Sequence, residues 1–189
     1  MEKKRIIVGA TGASGMPILE ECLKIIRQDK TFSSYLIMSS SGEKTCIQEM
    51  GSAEAVYQYA DEILDWKEIG RGPASGSFQT AGMLIVPCSM KTAAGICCGY
   101  SDNLILRAAD VTIKEQRPLV LAARETPVSA IHLRNLAELA RLPGVHIIPP
   151  MMTFYHQPKT IQEMVHHIAA KLLEPFGIEA EGYRRWTGI

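Results

Sequence analysis

Gly9-Ala10-Thr11-Gly12-Ala13-Ser14-Gly15-Met16-Pro17 follows the apolar run Ile6-Ile7-Val8 and opens into Ile18-Leu19-Glu20-Glu21-Cys22-Leu23-Lys24-Ile25-Ile26. The stretch predicts a tight glycine-rich turn between a buried strand and a helix. Glycine permits positive φ and lets a ligand approach the bare backbone. The free amides of a helix start, with the dipole behind them, attract an anion. Pro17 suits the first helical turn, where its missing donor costs nothing. The expectation is a phosphate cradle. Its spacing is G-x-x-G-x-x-G, not the G-x-G-x-x-G of dinucleotide folds. The second strand, Tyr35-Leu36-Ile37-Met38, ends in Ser39-Ser40-Ser41 and offers no acid for a ribose hydroxyl. Gly15 is followed by Met16-Pro17, so the lysine of a Walker loop is missing as well. A mononucleotide phosphate fits this turn better than NAD or ATP.

The chain of 189 residues reads as one domain with room for a large core. A hydrophobic content of 47% with 21% charged residues is ordinary for a globular protein. Formal net charge is +0, which argues against a nucleic-acid or membrane surface. Met1-Glu2-Lys3-Lys4-Arg5 leads directly into a strand, with no signal peptide expected and no apolar run of membrane-spanning length. Five cysteines, Cys22, Cys46, Cys88, Cys97 and Cys98, are odd in number and lack paired metal spacing. They predict reduced thiols, a cytoplasmic location and no metal site.

Strand and helix patterns alternate along the chain. Gly82 to Pro87 is continuously apolar, as in a strand buried on both faces. It feeds Cys88-Ser89-Met90-Lys91-Thr92 and a small-residue helix, Ala93 to Cys98. Ala53 to Ala60 predicts a short helix, and Asp102 an N-cap for a helix over Asn103 to Lys114. Leu119 to Ala123 and Val145 to Ile148 are further strands, and Thr160 to Phe176 is the last long helix. This order predicts an α/β fold: a three-layer α/β/α sandwich, Rossmann-like or flavodoxin-like, around a parallel sheet. The tail from about 177 to 189 is expected in oligomer contacts.

Ligands of open parallel sheets bind beyond the carboxyl ends of the strands. Gly12, Ala13 and Ser14 stand there after the first strand and Ser39 after the second. Ser89, Met90, Lys91 and Thr92 follow the Met83–Val86 strand, Arg124 and Glu125 the next, and Tyr155 the last. Cys88, at a helix start, reads as a small buried residue rather than a nucleophile.

Together with the glycine turn, Pro87-Cys88-Ser89-Met90-Lys91-Thr92, Arg107-Ala108-Ala109-Asp110-Val111, Lys114-Glu115, Arg124-Glu125-Thr126-Pro127 and Phe154-Tyr155-His156 resemble the UbiX/Pad-type flavin prenyltransferases, from about Ile6 to the C-terminus. The resemblance implies an FMN-binding homododecamer, formerly described as an aromatic-acid decarboxylase subunit. It implies transfer of the dimethylallyl group of dimethylallyl monophosphate to N5 and C6 of reduced FMN, without metal. The product, prenylated FMN, would serve a UbiD-type decarboxylase. By the same resemblance Gly12, Ala13, Ser14, Ser39, Ser89, Met90, Lys91, Thr92 and Arg124 would bind FMN. Lys114, Tyr155 and Lys171 would hold the dimethylallyl phosphate, with lysine at 171 where the family commonly has arginine. Trp66 would form an aromatic wall. Glu49, Ser14, Lys114, Glu125 and Arg107 match catalytic positions.

The chemistry is consistent with those residue types. Cations stabilise a departing phosphate, apolar walls keep water from an allyl cation, and a carboxylate such as Glu49 or Glu125 moves the released proton. Other readings remain at this level, of which an NADP-dependent reductase is disfavoured by the glycine spacing and by the absence of an obvious 2′-phosphate arginine after the second strand. Cysteine decarboxylases on a related fold carry asparagine where this chain has Lys91 and an early histidine, whereas the first histidine here is His132. The alternative is an FMN-dependent decarboxylase or a non-catalytic FMN carrier or accessory subunit of a hydroxyarylic acid decarboxylase; the carrier would need the phosphate loop and Arg124, but not Lys114, Tyr155 and Lys171 together.

Overall fold

Each strand is separated from the next by a helix, or by the loop between the third and fourth strands, and such crossovers make neighbours parallel. In the computed structural model, which describes residues 3–188, β1 (Lys4–Ala10), β2 (Phe32–Met38), β3 (Glu62–Asp65), β4 (Gly82–Cys88), β5 (Leu119–Ala123) and β6 (Val145–Ile147) form one sheet. Its order is β3-β2-β1-β4-β5-β6, parallel throughout. This is the Rossmann order, in which β1 and β4 lie side by side and the connections depart in opposite directions.

The apolar strands sort their residues by the two-residue repeat of the pleat. Ile6, Val8, Leu84, Val86 and Val120 face α1 (Met16–Gln28) and α7 (Ile161–Leu173). Ile7, Met83, Ile85, Leu119 and Leu121 face α4 (Met90–Cys97) and α5 (Leu104–Lys114). Burying each such side chain contributes about 1.5–3 kcal/mol before entropy is charged. The expected three-layer architecture is the one observed.

Local boundaries differ from the sequence reading in several places, including α4, which starts at Met90 rather than Ala93, and β2, which starts at Phe32 rather than Tyr35. α2 spans Ser40–Met50, and α3 is confined to Glu54–Tyr57 rather than spanning Ala53 to Ala60. Asn103, not Asp102, caps α5: its side-chain oxygen accepts from the Leu106 amide at 3.1 Å, while Asp102 Oδ1 accepts from the Asn103 amide group. α7 stops at Leu173, where a 3-10 turn over Glu174–Phe176 ends at Gly177 with φ 74°. α6 (Ala130–Leu139) completes the helices, capped by Ser129. The expected tail, whose last residue Ile189 lies outside the described residues, folds back on its own chain as far as Trp186.

Candidate active site

The switch between β1 and β4 opens a crevice at the carboxyl ends of the strands, where such folds bind ligands. Thr11 and Gly12 enter it from β1, Ser39 to Ser41 from β2, Trp66 from β3, and Ser89, Lys91 and Thr92 from β4. Ser39 caps α2 by accepting from the Gly42 amide at 3.0 Å, and Ser89 caps α4 by accepting from the Thr92 amide at 3.3 Å. Two helix N-termini therefore meet at one crevice, and each favours negative charge. Thr11 ties the start of α4 to β1: its hydroxyl donates to Pro87 O at 2.9 Å and accepts from the Ser89 amide at 2.8 Å. A Cβ at Gly12 would stand 2.6 Å from Ser41 Cβ, so only glycine lets the turn pass this close to α2. Lys91 is exposed and makes no ion pair among the described residues. These hydroxyls, amides and one unpaired cation suit a phosphate-bearing flavin nucleotide.

Most of the expected FMN ligands gather here. Met90, expected among the FMN ligands, packs into the core at 8% exposure and does not line the crevice. Ala13 is likewise buried, and Ser14 is exposed on the rim. Arg124 is exposed beside the β4 turn, its amide donating to Cys88 O at 3.1 Å. Trp66 stands at this crevice rather than beside the other residues expected to hold the prenyl donor.

The opening turn is not an empty anion cradle. Glu49 Oε2 accepts from the amides of Gly15 at 3.0 Å and Met16 at 2.8 Å. Glu49 is thereby held against the start of α1 rather than turned to solvent. The first amides of α1 are satisfied by a carboxylate from α2, so an external phosphate is left the α2 and α4 starts. Gly15 has φ 134°, a conformation that glycine alone adopts easily.

A second cavity, of about 370 Å³, lies between the segment after β6, α7 and the tail. Tyr155 and Lys171 both line it, as expected, with Thr153, Arg185 and Trp186. The Tyr155 hydroxyl is 3.1 Å from His167 Nε2, and its ring meets Trp186 edge to face at 5.5 Å. Lys171 donates to Glu174 at 2.6 Å, and Arg185 reaches the other oxygen of the same carboxylate at 3.1 Å. Burial pushes the Glu174 carboxyl up, but hydrogen bonds from Lys171 and Arg185 outweigh it and hold the group below the usual range. The hydrogen bond to Glu174 raises Lys171, keeping it a full cation. The sequence reading missed His167, Tyr183, Arg185 and Trp186. His167 and Lys171 are four residues apart on one helix, a spacing that places both on one face.

Lys114, Arg107 and Glu125 are not brought to that cavity within one chain. Lys114 sits at the end of α5, across the sheet from α7, ion-paired with Glu115. Arg107 donates to Ala74 O at 3.2 Å and Asp110 at 2.6 Å, steadying the 3-10 turn at Gly72–Ala74. Glu125 is exposed and accepts only from the Thr126 amide among the described residues. Cys88 is fully buried; burial pushes its thiol up to about 12, against a lowering hydrogen bond from the Ala93 backbone. His166 pairs with Glu21 while His167 turns to Tyr155, and no group of metal-ligating residues forms among the described residues.

The sheet order and the hydroxyl-lined crevice define a Rossmann-type α/β protein built to hold a mononucleotide at its switch point. Residues 1–173 match the family model described as Flavoprotein. The flavin prenyltransferase LpdB of Lactiplantibacillus plantarum is 48% identical over 186 residues, covering 98% of this chain and 99% of that relative. A dodecameric FMN-dependent UbiX-like decarboxylase from Escherichia coli O157:H7 superposes with a TM-score of 0.94 at 44% identity, over 97% of this chain and 100% of that one. AnUbiX (PadA1) in complex with FMN and dimethylallyl pyrophosphate superposes with a TM-score of 0.95 at 38% identity, over 100% of both chains. The chain belongs to the UbiX-like flavin prenyltransferases of the Flavoprotein family.

Proposed function

We propose that this protein joins the dimethylallyl group of dimethylallyl monophosphate to N5 and C6 of reduced FMN, with loss of the phosphate. The observation that carries this reading is a second cationic cavity, holding Tyr155, Lys171 and Arg185, in addition to the flavin crevice. A carrier of FMN would need only the crevice and Arg124. A related AnUbiX complex holds FMN and dimethylallyl pyrophosphate together, which supports a two-substrate site.

Reduced FMN supplies the nucleophilic ring atoms when bound. Gly12, Ser39, Ser89, Lys91 and Thr92 hold its phosphate end, with Arg124 alongside. Lys171, Arg185 and the Tyr155 hydroxyl stabilise the phosphate as it leaves, an electrostatic task for preorganised donors. Met151 and Trp186 help keep water from the allyl group. Glu49, beside Ser14 at the start of α1, takes up a proton from the flavin edge.

Lys114, Arg107 and Glu125 enter this scheme through assembly. Lys114 lies on the opposite side of the sheet from Lys171, so a site using both takes them from different copies. A dodecameric relative supports a closed homo-oligomer, and the tail belongs at its contacts in this reading. Transfer of the product to a UbiD-type decarboxylase follows from the same reading. Five free thiols support a reducing, cytoplasmic setting; no helix among the described residues is long and apolar enough to cross a membrane. The test is phosphate release from dimethylallyl monophosphate under anaerobic conditions. Release that requires reduced FMN supports a transferase, and release independent of flavin refutes it.

A further inference from the structure

Tyr155, in the segment after β6, and His167, on α7, share a hydrogen bond of 3.1 Å between the phenol oxygen and Nε2. The rings meet edge to face, with centroids 5.4 Å apart at 78°. His167 is only 6% exposed. It lies flat against His156, at 4.1 Å and 4°, and Tyr183 covers it at 4.8 Å. This packing fixes the plane of the imidazole and leaves Nε2 one neighbour. Tyr155 itself is 43% exposed and lines the cavity of Lys171 and Arg185. Burial lowers the His167 imidazole below the ordinary histidine value, and His156 and His166 add to the effect. The ring is therefore neutral near pH 7 and carries a single N–H.

One phenol has one hydrogen to give. If Tyr155 spends it on His167, the oxygen turns only lone pairs toward the cavity and repels an anion. If His167 donates from Nε2, the phenol O–H is free to donate to a phosphate oxygen between the two cations. We propose that His167 is the positioning residue of Tyr155, giving its Nε2 hydrogen to the phenol oxygen so that the Tyr155 O–H serves the phosphate of the prenyl donor. The proposal rests on the assignment of this cavity to that phosphate. His167 touches no substrate; it acts through Tyr155.

Two measurements test it. Magic-angle-spinning spectra of 15N-histidine-labelled protein, assigned with His167→Gln, should show Nε2 protonated and Nδ1 bare; the opposite tautomer overturns the proposal. In steady-state transfer, His167→Leu should lower kcat/KM for dimethylallyl monophosphate about tenfold, the size of one hydrogen bond to a charged group, with FMN affinity little changed. His167→Gln retains an N–H donor and should restore most of the loss. In a Tyr155→Phe background, His167→Leu should change nothing further. Additive effects, or equal loss of FMN binding, would make His167 a packing residue only and overturn the proposal. A wild-type protein that transfers no prenyl group refutes the assignment of the cavity, and the proposal is then decided by the tautomer alone.

Discussion

Oε2 of Glu49 accepts the amide hydrogen of Met16 at 2.8 Å, binding α2 to the first turn of α1 across 33 positions of sequence. The same oxygen serves Gly15, so one carboxylate satisfies two of the free donors of that helix. Removing the acceptor in Glu49→Ala should cost about 1 kcal/mol of stability, as loss of a helix cap does. Glu49→Gln keeps an acceptor oxygen and loses the proton-accepting charge. It should melt within a degree or two of wild type and bind FMN normally, while turnover falls by about a hundredfold, the usual worth of a general base. Calorimetry, flavin titration and initial rates separate the two roles. Equal loss of binding and turnover would make Glu49 structural alone.

Lys114 and Lys171 stand on opposite sides of the sheet, which leads to a complementation test. Lys114→Ala and Lys171→Ala should each be nearly inactive as pure assemblies. Co-expressed in equal amounts, they should recover roughly a quarter of the sites, those that draw an intact Lys114 from one copy and an intact Lys171 from another. No recovery in mixed assemblies of confirmed composition would mean that Lys114 is not shared.

The buried thiol of Cys88 offers no nucleophile, because burial holds it up to about 12. Cys88→Ala should keep transfer activity within about twofold and cost roughly 1 kcal/mol of stability, the size of a small core truncation. Mass spectrometry after alkylation of the native protein should find Cys98, which is exposed, modified before Cys88. Loss of activity without loss of stability in Cys88→Ala would contradict this.

Acid should loosen the tail in two steps. His167 is held below its ordinary value of 6.5 by burial and then by His156 and His166. Between the folded and ordinary values the unfolded chain binds more protons, so stability falls as pH drops below about 6.5 and is flat above it. Glu174, held low by Lys171 and Arg185 against its burial, adds stability present above its ordinary value of 4.5 and lost as pH falls through the folded value. Thermal midpoints recorded from about pH 8 down to about pH 2 should show both limbs. His167→Gln should flatten the upper limb and leave the lower; an unchanged upper limb would contradict the assignment.

The sheet and the crevice were legible because their signals are local. A continuous apolar run such as Gly82 to Pro87, a glycine turn, and a serine at a helix start each carry their own structural reason. Ser39 and Ser89 fell in the crevice because strand ends place them there. Relations between distant segments left no such trace. Nothing near Glu49 announces that its carboxylate caps a helix beginning at Met16, and nothing in Tyr183-Arg184-Arg185-Trp186 announces that it folds onto Tyr155 and Glu174. Asn103 displaced Asp102 as a cap because the two differ by one position, a difference decided by packing of Leu104 and Leu106 in the core. Lys114 was grouped with Lys171 by charge and resemblance, and the sheet between them separates the two within a chain.

Prenyl transfer to reduced flavin leaves a covalent mark on the flavin itself. Protein incubated anaerobically with reduced FMN and dimethylallyl monophosphate, then stripped of flavin for mass spectrometry, tests it most directly. The extracted flavin should be heavier by one dimethylallyl group, and only when protein and both substrates are present. A flavin of unchanged mass, recovered from folded protein shown to bind FMN, would contradict it.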